Sequence, residues 1–314
     1  MKLIQISDFK LGRSVQGFYI CKEKHLRHTR NGDLYLDVIL SDSTGIIPGK
    51  MWELVDSFQN RFESGDPVAV KGKVGEFNDL LQLTINQINR ASSKKYGTYG
   101  YSPEILLKKI DEPIDGLWKR LIKISNTLKQ PYKDLVTTII NQYKDKIQIM
   151  PASVNHHHPV LGGYLKHMVT TSEISMEIIK YYPALDRDLI LSGILLHDIG
   201  KVKSINDDLI PGHTDEGKLI GHIVLGRDIV LDTARSMKKK SQDVLKKLEH
   251  IILSHQGTPE KWSVAIPQFP EALFVYYINE LDGRLNLMLN AIENDPNLNW
   301  TGFQPKFKSE LFKK

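Results

Sequence analysis

Cysteine is nearly absent from this sequence, which has one, Cys21, among 314 residues. A single thiol excludes an internal disulfide framework and a zinc site built on several thiolates. Long apolar runs are lacking as well, because the most hydrophobic stretch, residues 189–196, is interrupted by Ser192 and Gly193. A membrane-spanning helix requires roughly 18 apolar residues, and the first residues lack the apolar core of a secretory signal. We therefore expect a cytoplasmic protein with no membrane partner.

Excess charge of either sign is small, since 42 Lys and Arg residues stand against 37 Asp and Glu residues, a formal net charge of +5. A hydrophobic fraction of 41% is ordinary for a folded protein and excludes disorder as the main state. The length suggests roughly two domains. Histidine is unevenly placed, because only His25 and His28 of the eleven precede residue 150. The two parts of the chain are therefore expected to differ in chemistry.

The first 90 residues have the pattern of a small β-barrel. Short runs rich in β-branched and aromatic residues are separated by turn signals, for example at 31–33 and 64–66. Five strands are predicted, over residues 16–21, 34–40, 45–52, 67–74 and 80–85, with a helix over 53–62 between the third and the fourth. That order is typical of the five-stranded OB-fold, which we predict for residues 1–90.

The pattern changes after the predicted barrel. Residues 91–102 are rich in Gly, Ser and Tyr and are predicted to form a linker. From residue 103 to 314 apolar residues recur at helical spacing, and helices are expected near 163–181, 186–197, 217–235, 242–254 and 270–292. The predicted fold class is a multi-domain protein, with an all-β OB-fold barrel followed by an all-α helical bundle.

The helical part carries polar groups next to apolar stretches on five separate helices. His197 and Asp198 end the most apolar helix, and a buried carboxylate needs a cation or a network of donors. Imidazole and carboxylate together suit a borderline-to-hard divalent metal. The other members of the series are His167, His222, His255 and Asp282. Each alone is more often an ordinary core or surface residue, but the series as a whole predicts one metal centre.

This series resembles the HD-domain metal-dependent phosphohydrolases, whose ligands follow the order H…HD…H…H…D. The resemblance covers about residues 150–292 and is most specific in the strings HHHPVLGGYLKH (156–167) and LHDIGK (196–201). With an OB-like barrel ahead of such a domain, nearly the whole chain resembles the YhaM-type 3′→5′ exoribonucleases. The resemblance implies two divalent ions, with manganese favoured and magnesium or another metal as the alternative.

The resemblance also implies the ligands and the catalytic residues. The first ion would be held by His167, His197, Asp198 and Asp282, and the second by His222 and His255 with Asp198 bridging. The catalytic residues would be Asp198, Lys201, His157 and His158. Lys201 would neutralise charge on phosphate oxygens, and the two histidines would contact the scissile phosphate or protonate the leaving 3′-oxygen.

Two positions depart from the pattern of the family. Gln256 stands where many relatives have a second histidine, so the occupancy of the second metal site stays open. Relatives often place the last aspartate three residues earlier than Asp282, where this chain has Asn279. Residues three apart share a helix face, so either can hold the last ligand position, and we favour Asp282 as the only aspartate in the segment.

Cations and aromatic residues interleave along the predicted barrel strands. A single-stranded nucleic acid requires this mixture, for backbone contacts and for base stacking. The predicted nucleic-acid-binding residues are Phe18, Tyr19, Lys22, Tyr35, Lys71 and Lys73. The alternative is that the aromatic residues fill the barrel core and that the lysines are ordinary solvated surface. We expect single-stranded RNA as the partner, leave single-stranded DNA open, and regard a homo-oligomer as compatible with the sequence.

Three functions are compatible with these observations. The first is a metal-dependent 3′→5′ exoribonuclease that releases 5′-mononucleotides. The second is an HD enzyme that hydrolyses a nucleotide or a cyclic dinucleotide, with the barrel as a regulatory or partner-binding module. The third is a nucleic-acid-binding protein with a degenerate HD domain, against which the retained His197, Asp198 and Lys201 argue. The barrel favours the first, because an enzyme for small molecules needs no strand-binding domain.

Overall fold

The computed structural model describes residues 3–154, 158–206, 208–209, 211–237, 242–261 and 263–313. The chain divides into two compact units. The first is formed by residues 3–109 with Asp208 and Leu209, and the second by the rest of the described chain from Ile110 onward. The division follows Lys109, whereas the sequence placed it between residues 102 and 103. None of the described helices is both long and apolar enough to cross a bilayer.

The first unit contains a closed five-stranded barrel with strand order β1-β2-β3-β5-β4, which confirms the predicted OB-fold. Only β3 and β5 pair in parallel. Alternation along β2 explains the barrel, because Leu36, Val38 and Leu40 are buried while the residues between them face outward. The elements are β1 (Ser14–His28), β2 (Leu34–Ser41), β3 (Ile46–Met51), α1 (Val55–Phe58), β4 (Pro67–Phe77) and β5 (Leu80–Arg90).

The segment expected to be a linker belongs to the barrel unit. It contains the short helix α2 (Ser93–Tyr96), and its tyrosines pack against the barrel. The Phe18 ring centroid lies 5.0 Å from that of Tyr101 and 5.6 Å from that of Tyr96. The linker prediction is therefore wrong for this segment: its Gly and Ser content was given more weight than the apolar area of its tyrosines.

The second unit is helical, as predicted. Its central helix α7 is apolar on all sides and is buried from Asp188 to Leu196, as expected of a helix surrounded by others. Asp186 caps it by accepting hydrogen bonds from the amides of Asp188 and Leu189. The helices are α3 (Ile114–Asn126), α4 (Tyr132–Gln142), α5 (Lys144–Ile149), α6 (Gly163–Ile178), α7 (Arg187–Leu196), α8 (Lys201–Ser204), α9 (Asp215–Leu219), α10 (His222–Ser236), α11 (Gln242–Ser254) and α12 (Pro270–Glu293).

One expected helix is two. The helix predicted over 217–235 is broken into α9 and α10 by Gly221, whose φ of +83° lies in the left-handed region that favours glycine. The break matters for the site, because it makes His222 the first residue of α10. A side chain at the start of a helix can point along the helix axis toward a neighbouring element.

Candidate metal centre and nucleic-acid interface

Asp198 lies at the centre of a buried cluster in the turn between α7 and α8. Its Oδ1 atom is 3.4 Å from Nε2 of His222 and 3.4 Å from Nε2 of His255. Its Oδ2 atom is 3.4 Å from Nε2 of His197 and pairs with the ammonium group of Lys201. The carboxylate therefore faces imidazole nitrogens with both oxygens, which is the geometry of a bridging ligand.

Gly200 allows this turn to approach α10. A Cβ atom at this position would lie 1.9 Å from the carbonyl oxygen of His222, so no other residue fits without moving backbone. The glycine lets the start of α10 pack directly on the turn, which brings His222 to Asp198.

His167, in the second turn of α6, joins the cluster from the other side. Its Nε2 atom is 3.4 Å from Nε2 of His197, and its Nδ1 atom is 2.6 Å from Oδ2 of Asp282 on α12. Asp282 thus contacts the nitrogen of His167 that points away from His197. All six predicted ligands are brought together, but Asp282 is placed to orient the His167 ring, as carboxylates beside metal-bound histidines commonly do.

Backbone carbonyls set the tautomers of two other histidines. His197 Nδ1 donates to the carbonyl oxygen of Ile194 at 2.8 Å, and His255 Nδ1 donates to that of Ile252 at 2.7 Å. Each Nε2 atom then keeps its lone pair and points toward Asp198. Among the described side chains, Nε2 of His255 is a buried polar atom without a hydrogen-bond partner, which indicates that an absent group completes the cluster.

Charge in the cluster favours a bound cation. Burial lowers the pKa values of His167 and His255, and it lowers the pKa of His222 to about 3. These imidazoles are therefore neutral near pH 7, the form that binds metals. Burial by itself would raise the pKa of Asp198, but interactions led by the ammonium group of Lys201 outweigh it and hold that pKa well below its usual range.

The donor set fits one or two divalent ions. His167, His197 and Asp198 offer ligand atoms within 4.8 Å of one another, and so do Asp198, His222 and His255. Imidazole with carboxylate suits manganese and related divalent metals. A third group of this kind consists of His158, His167 and Asp282. The cluster therefore suggests divalent metal binding.

Of the two histidines predicted to be catalytic, the structure describes one. His157 lies outside the described residues. His158 is buried, with Nε2 3.0 Å from Oδ2 of Asp282. Its ring is thus directed at the aspartate that orients His167. Lys201 is also buried, and its ammonium group is bound to Asp198.

A cleft of about 850 Å³ opens beside the cluster within the helical unit. His222 and Lys201 line it together with Gln256, whose amide Nε2 lies 3.2 Å from Nε2 of His222, and with Asn279. The other charged or titratable side chains around the cleft are His213, Glu280, Arg284 and Lys306. Its lining is therefore mainly basic, as an anionic substrate requires.

Sequence reasoning missed most of these basic residues. The segment around His213, residues 211–214, has the sequence of a solvated turn, but His213 pairs with Ile205 at the edge of the cleft. Lys306 comes from a segment after α12 that has no periodic pattern, so no signal in the sequence could have placed it here. Arg284 lies in a polar interruption of the α12 pattern, which by itself indicates no role for this residue.

On the barrel, two of the six predicted nucleic-acid-binding residues are in the interior. Tyr19 is fully buried, and its hydroxyl donates to the carbonyl oxygen of Ile4 at 2.7 Å. Phe18 is buried beneath Tyr96 and Tyr101. The prediction that these rings stack on bases is wrong, because neither presents a face to solvent. Lys22, Lys71 and Lys73 are exposed, as an interface requires.

An aromatic and cationic surface does lie at β2, the end of β3 and the end of β4. Tyr35 and Trp52 are stacked with ring centroids 4.8 Å apart, and Trp52 is 45% exposed. The ammonium group of Lys50 lies 5.4 Å from the centroid of each of these rings and 5.5 Å from that of Phe77. We call Tyr35, Lys50, Trp52 and Phe77 the barrel platform. Its exposed faces and its cation suit base stacking and phosphate contact.

Comparison with protein families agrees with this geometry. Residues 164–284 match the model of the HD domain, and residues 22–91 match that of an OB-fold nucleic acid binding domain. A model described as a putative helicase matches residues 102–185. The chain therefore contains an OB-fold nucleic-acid-binding domain and an HD domain. An HD domain with this cluster indicates a metal-dependent phosphohydrolase.

Several solved OB domains resemble part of the chain. The second OB-fold domain of replication protein A from Methanococcus maripaludis is 21% identical, and the match covers 29% of this chain and 96% of that one, with a TM-score of 0.25. An OB domain from Methanosarcina mazei is 24% identical over 29% of this chain and 84% of that one, also with a TM-score of 0.25. A mitochondrial single-stranded DNA binding protein from S. cerevisiae is 16% identical over 26% and 92%, with a TM-score of 0.22.

Proposed function

We propose that this protein is a metal-dependent 3′→5′ exoribonuclease of the YhaM type, which hydrolyses single-stranded RNA to 5′-mononucleotides. One observation carries the proposal: the same chain has a buried ligand cluster around Asp198 and an exposed barrel platform around Trp52. The cluster supports phosphodiester hydrolysis, and the platform supports binding of a single strand. A phosphohydrolase that acts only on small molecules would not require the platform.

The ligands in this proposal are His167, His197, Asp198, His222 and His255, with manganese favoured. Divalent ions in such a site activate water and stabilise charge on the phosphoryl oxygens. Asp198 bridges the two halves of the cluster through its two oxygens. The carboxylate of Asp282 holds the His167 ring in its orientation through Nδ1.

The cleft supplies the remaining contacts with substrate. Lys201 and Lys306 place positive charge around the scissile phosphate in this cleft. We assign His158 to the positioning of Asp282 rather than to proton delivery, because its Nε2 atom already contacts that carboxylate. The barrel platform, with Lys22, Lys71 and Lys73 on the same unit, binds the single strand upstream of the 3′ end.

A second candidate function is supported by the cleft itself. Its residues all belong to the helical unit, and its volume of about 850 Å³ is within the range of small-molecule sites. A nucleotide or a cyclic dinucleotide could be hydrolysed there without the barrel. The barrel would then have a regulatory role.

One assay separates the two candidates. The protein is incubated with Mn²⁺ and a 5′-labelled single-stranded RNA, in parallel with mononucleotides and cyclic dinucleotides. A ladder that shortens from the 3′ end supports the exoribonuclease, whereas intact RNA beside a hydrolysed small molecule would falsify it. Asp198→Asn should abolish cleavage, while the matched control Asp232→Asn, which alters only an exposed ion pair with Arg235, should cleave normally.

A further inference from the structure

The longest helix of the protein, α12, exposes a continuous row of large apolar side chains. The row has a spacing of four residues, and each member is between 42% and 64% exposed. We call it the α12 stripe, and it consists of Leu273, Tyr277, Leu281, Leu285 and Leu289. The opposite side of the helix is buried through Ala272, Val275, Ile278 and Asp282. The stripe is therefore not part of the core that α12 already completes.

A groove runs beside the stripe. Its volume is about 810 Å³, and aromatic and aliphatic side chains from α6, α12 and the segments that follow them form most of its lining. Leu273, Tyr277, Leu281 and Leu285 belong to both the stripe and the groove lining. Soluble monomers rarely expose contiguous apolar patches larger than a few hundred Å², and larger ones usually mark an interaction site.

The charges at the groove fit a second copy of this chain. Of the described residues that line it, two are charged, Glu280 and Arg284. They lie one turn apart on α12, have opposite signs, and are joined by a 2.8 Å contact between Nε and Oε2. When a second α12 runs antiparallel to the first, the order of these charges is reversed. Each Arg284 then comes within reach of the Glu280 of the other copy.

The stripe is self-complementary under the same symmetry. A two-fold axis at Leu281 places Tyr277 of one copy against Leu285 of the other and Leu273 against Leu289, so that every pair is apolar. An isologous contact of this kind uses one patch twice and closes after two copies. Side chains four residues apart form a ridge, and such ridges interdigitate when two helices cross at about −50°. Because crossed helices diverge away from the crossing point, contact should be densest around the two-fold axis.

We propose that the α12 stripe is the interface of a homodimer, in which two copies of this chain pack α12 against α12 across a two-fold axis at Leu281. The apolar row contributes the stability, because burying it in both copies removes a large apolar area from water. Glu280 and Arg284 set the antiparallel direction. The dimer does not depend on the proposed nuclease activity, and it is tested without any measurement of hydrolysis.

The first test measures the mass of the full-length protein in solution by sedimentation and by light scattering, over roughly a hundredfold range of concentration. The wild-type protein should have twice the chain mass, and Leu281→Asp should reduce it to one chain. The control is Leu11→Asp, which changes an exposed leucine of the barrel unit (61%, against 42% for Leu281) and should stay dimeric. A monomeric wild-type protein, as expected if a different protein or the barrel unit covers the stripe, overturns the proposal.

A second test does not depend on a disruptive variant. Leu281→Cys places a thiol at the proposed axis, and a short bis-maleimide should then link two chains. Wild-type protein should not be linked, because its one cysteine, Cys21, is fully buried. Leu11→Cys, an exposed thiol far from the axis in sequence, should be labelled without being linked. Equal linkage of both cysteine variants, or none at residue 281, would show that the axis is not at α12.

Discussion

Asn286 and His158 are joined by a 2.7 Å hydrogen bond, which the backbone amide of His158 donates to Oδ1 of Asn286. One turn earlier on α12, Asp282 contacts the side chain of the same histidine at 3.0 Å. The φ of His158 is +44°, a left-handed conformation that costs non-glycine residues about 1–3 kcal/mol. Helix α12 therefore holds both the backbone and the ring of His158, and it offsets the strain of that conformation.

Removal of the Asn286 contact should weaken the metal centre without unfolding the protein. In Asn286→Leu the backbone of His158 loses its acceptor, so His158 no longer supports Asp282 and the His167 ring that Asp282 orients. We expect a loss of roughly 10–100-fold in Mn²⁺ affinity and in hydrolysis, the usual effect of losing an outer partner of a metal ligand. Titration calorimetry with Mn²⁺ measures the first and the RNA assay the second.

Two variants control for a general structural effect. Asn286→Asp keeps an acceptor oxygen and should retain most of the affinity. Asn290→Ala removes the amide that donates to Oδ1 of Asn286 at 2.9 Å but leaves the bond to His158 in place. If Asn290→Ala loses as much Mn²⁺ affinity as Asn286→Leu, the positioning role of Asn286 is wrong.

Stability of the metal-free protein should decrease as the pH falls below neutrality. Burial lowers the pKa of His222 to about 3 and also lowers those of His167 and His255. In the unfolded chain these groups titrate near about 6.5. Between about pH 6.5 and 3 the unfolded state therefore binds more protons than the folded state. The free energy of unfolding consequently decreases as the pH is lowered through this range.

Urea denaturation of the metal-free protein at several pH values between 7.5 and 5 measures this slope. His222→Gln removes one of the protonation sites and should make the slope shallower. The depressed pKa values of Asp198 and Asp282 do not interfere, because both groups stay ionised across this range. A free energy of unfolding that is constant from pH 7.5 to 5 would contradict the prediction.

Gln256 limits the second half of the metal centre. Its amide Nε2 lies 3.2 Å from Nε2 of His222 and donates to the lone pair that a metal would use. Gln256→His should raise the affinity for a second Mn²⁺ by about tenfold, because it removes this competition and adds an imidazole at the same place. Titration calorimetry gives both affinity and stoichiometry.

The control for this change is Gln256→Ala, which frees the lone pair without adding a ligand. It should raise the affinity less than Gln256→His does. The interpretation fails if the histidine variant binds Mn²⁺ no more tightly than the wild-type protein.

Sequence patterns predicted the parts of the structure that depend on periodicity. Short β-rich runs separated by turn signals predicted the barrel, and the apolar stretch 189–196 predicted that His197 and Asp198 would be buried. Burial of both Phe18 and Tyr19 was missed, because β1 is covered on both sides: Tyr19 faces the barrel core while Phe18 lies under Tyr101. Alternation in one strand does not reveal that a distant segment packs on its outer face.

The geometry inside the cluster also required the structure. Which nitrogen of the His167 ring Asp282 contacts depends on how α12 is rotated about its own axis. A helical pattern in the sequence does not specify that rotation accurately enough to distinguish the two ring nitrogens. The sequence predicts cations and aromatic residues interleaved along the barrel strands, and of the predicted binding residues Tyr35 belongs to the platform. Its centre at Lys50 and Trp52 depends on how β2 and β3 pair, since Leu36 lies opposite Met51 and Asp37 opposite Lys50.

The barrel platform should contribute to RNA binding and not to the chemical step. Trp52→Ala removes the exposed ring that stacks on Tyr35, and base stacking is worth about 1–3 kcal/mol per base. We therefore expect the dissociation constant for single-stranded RNA to rise about tenfold, measured by fluorescence anisotropy with EDTA present so that no cleavage occurs. Tyr99→Ala, which removes an aromatic ring of the same unit that is 65% exposed but lies outside the platform, should bind as the wild-type protein does.

Hydrolysis of a dinucleotide, too short to require the barrel, should stay unchanged in Trp52→Ala. An equal loss in both variants would place the strand on another surface, and a slower dinucleotide reaction would mean that the barrel takes part in the chemistry.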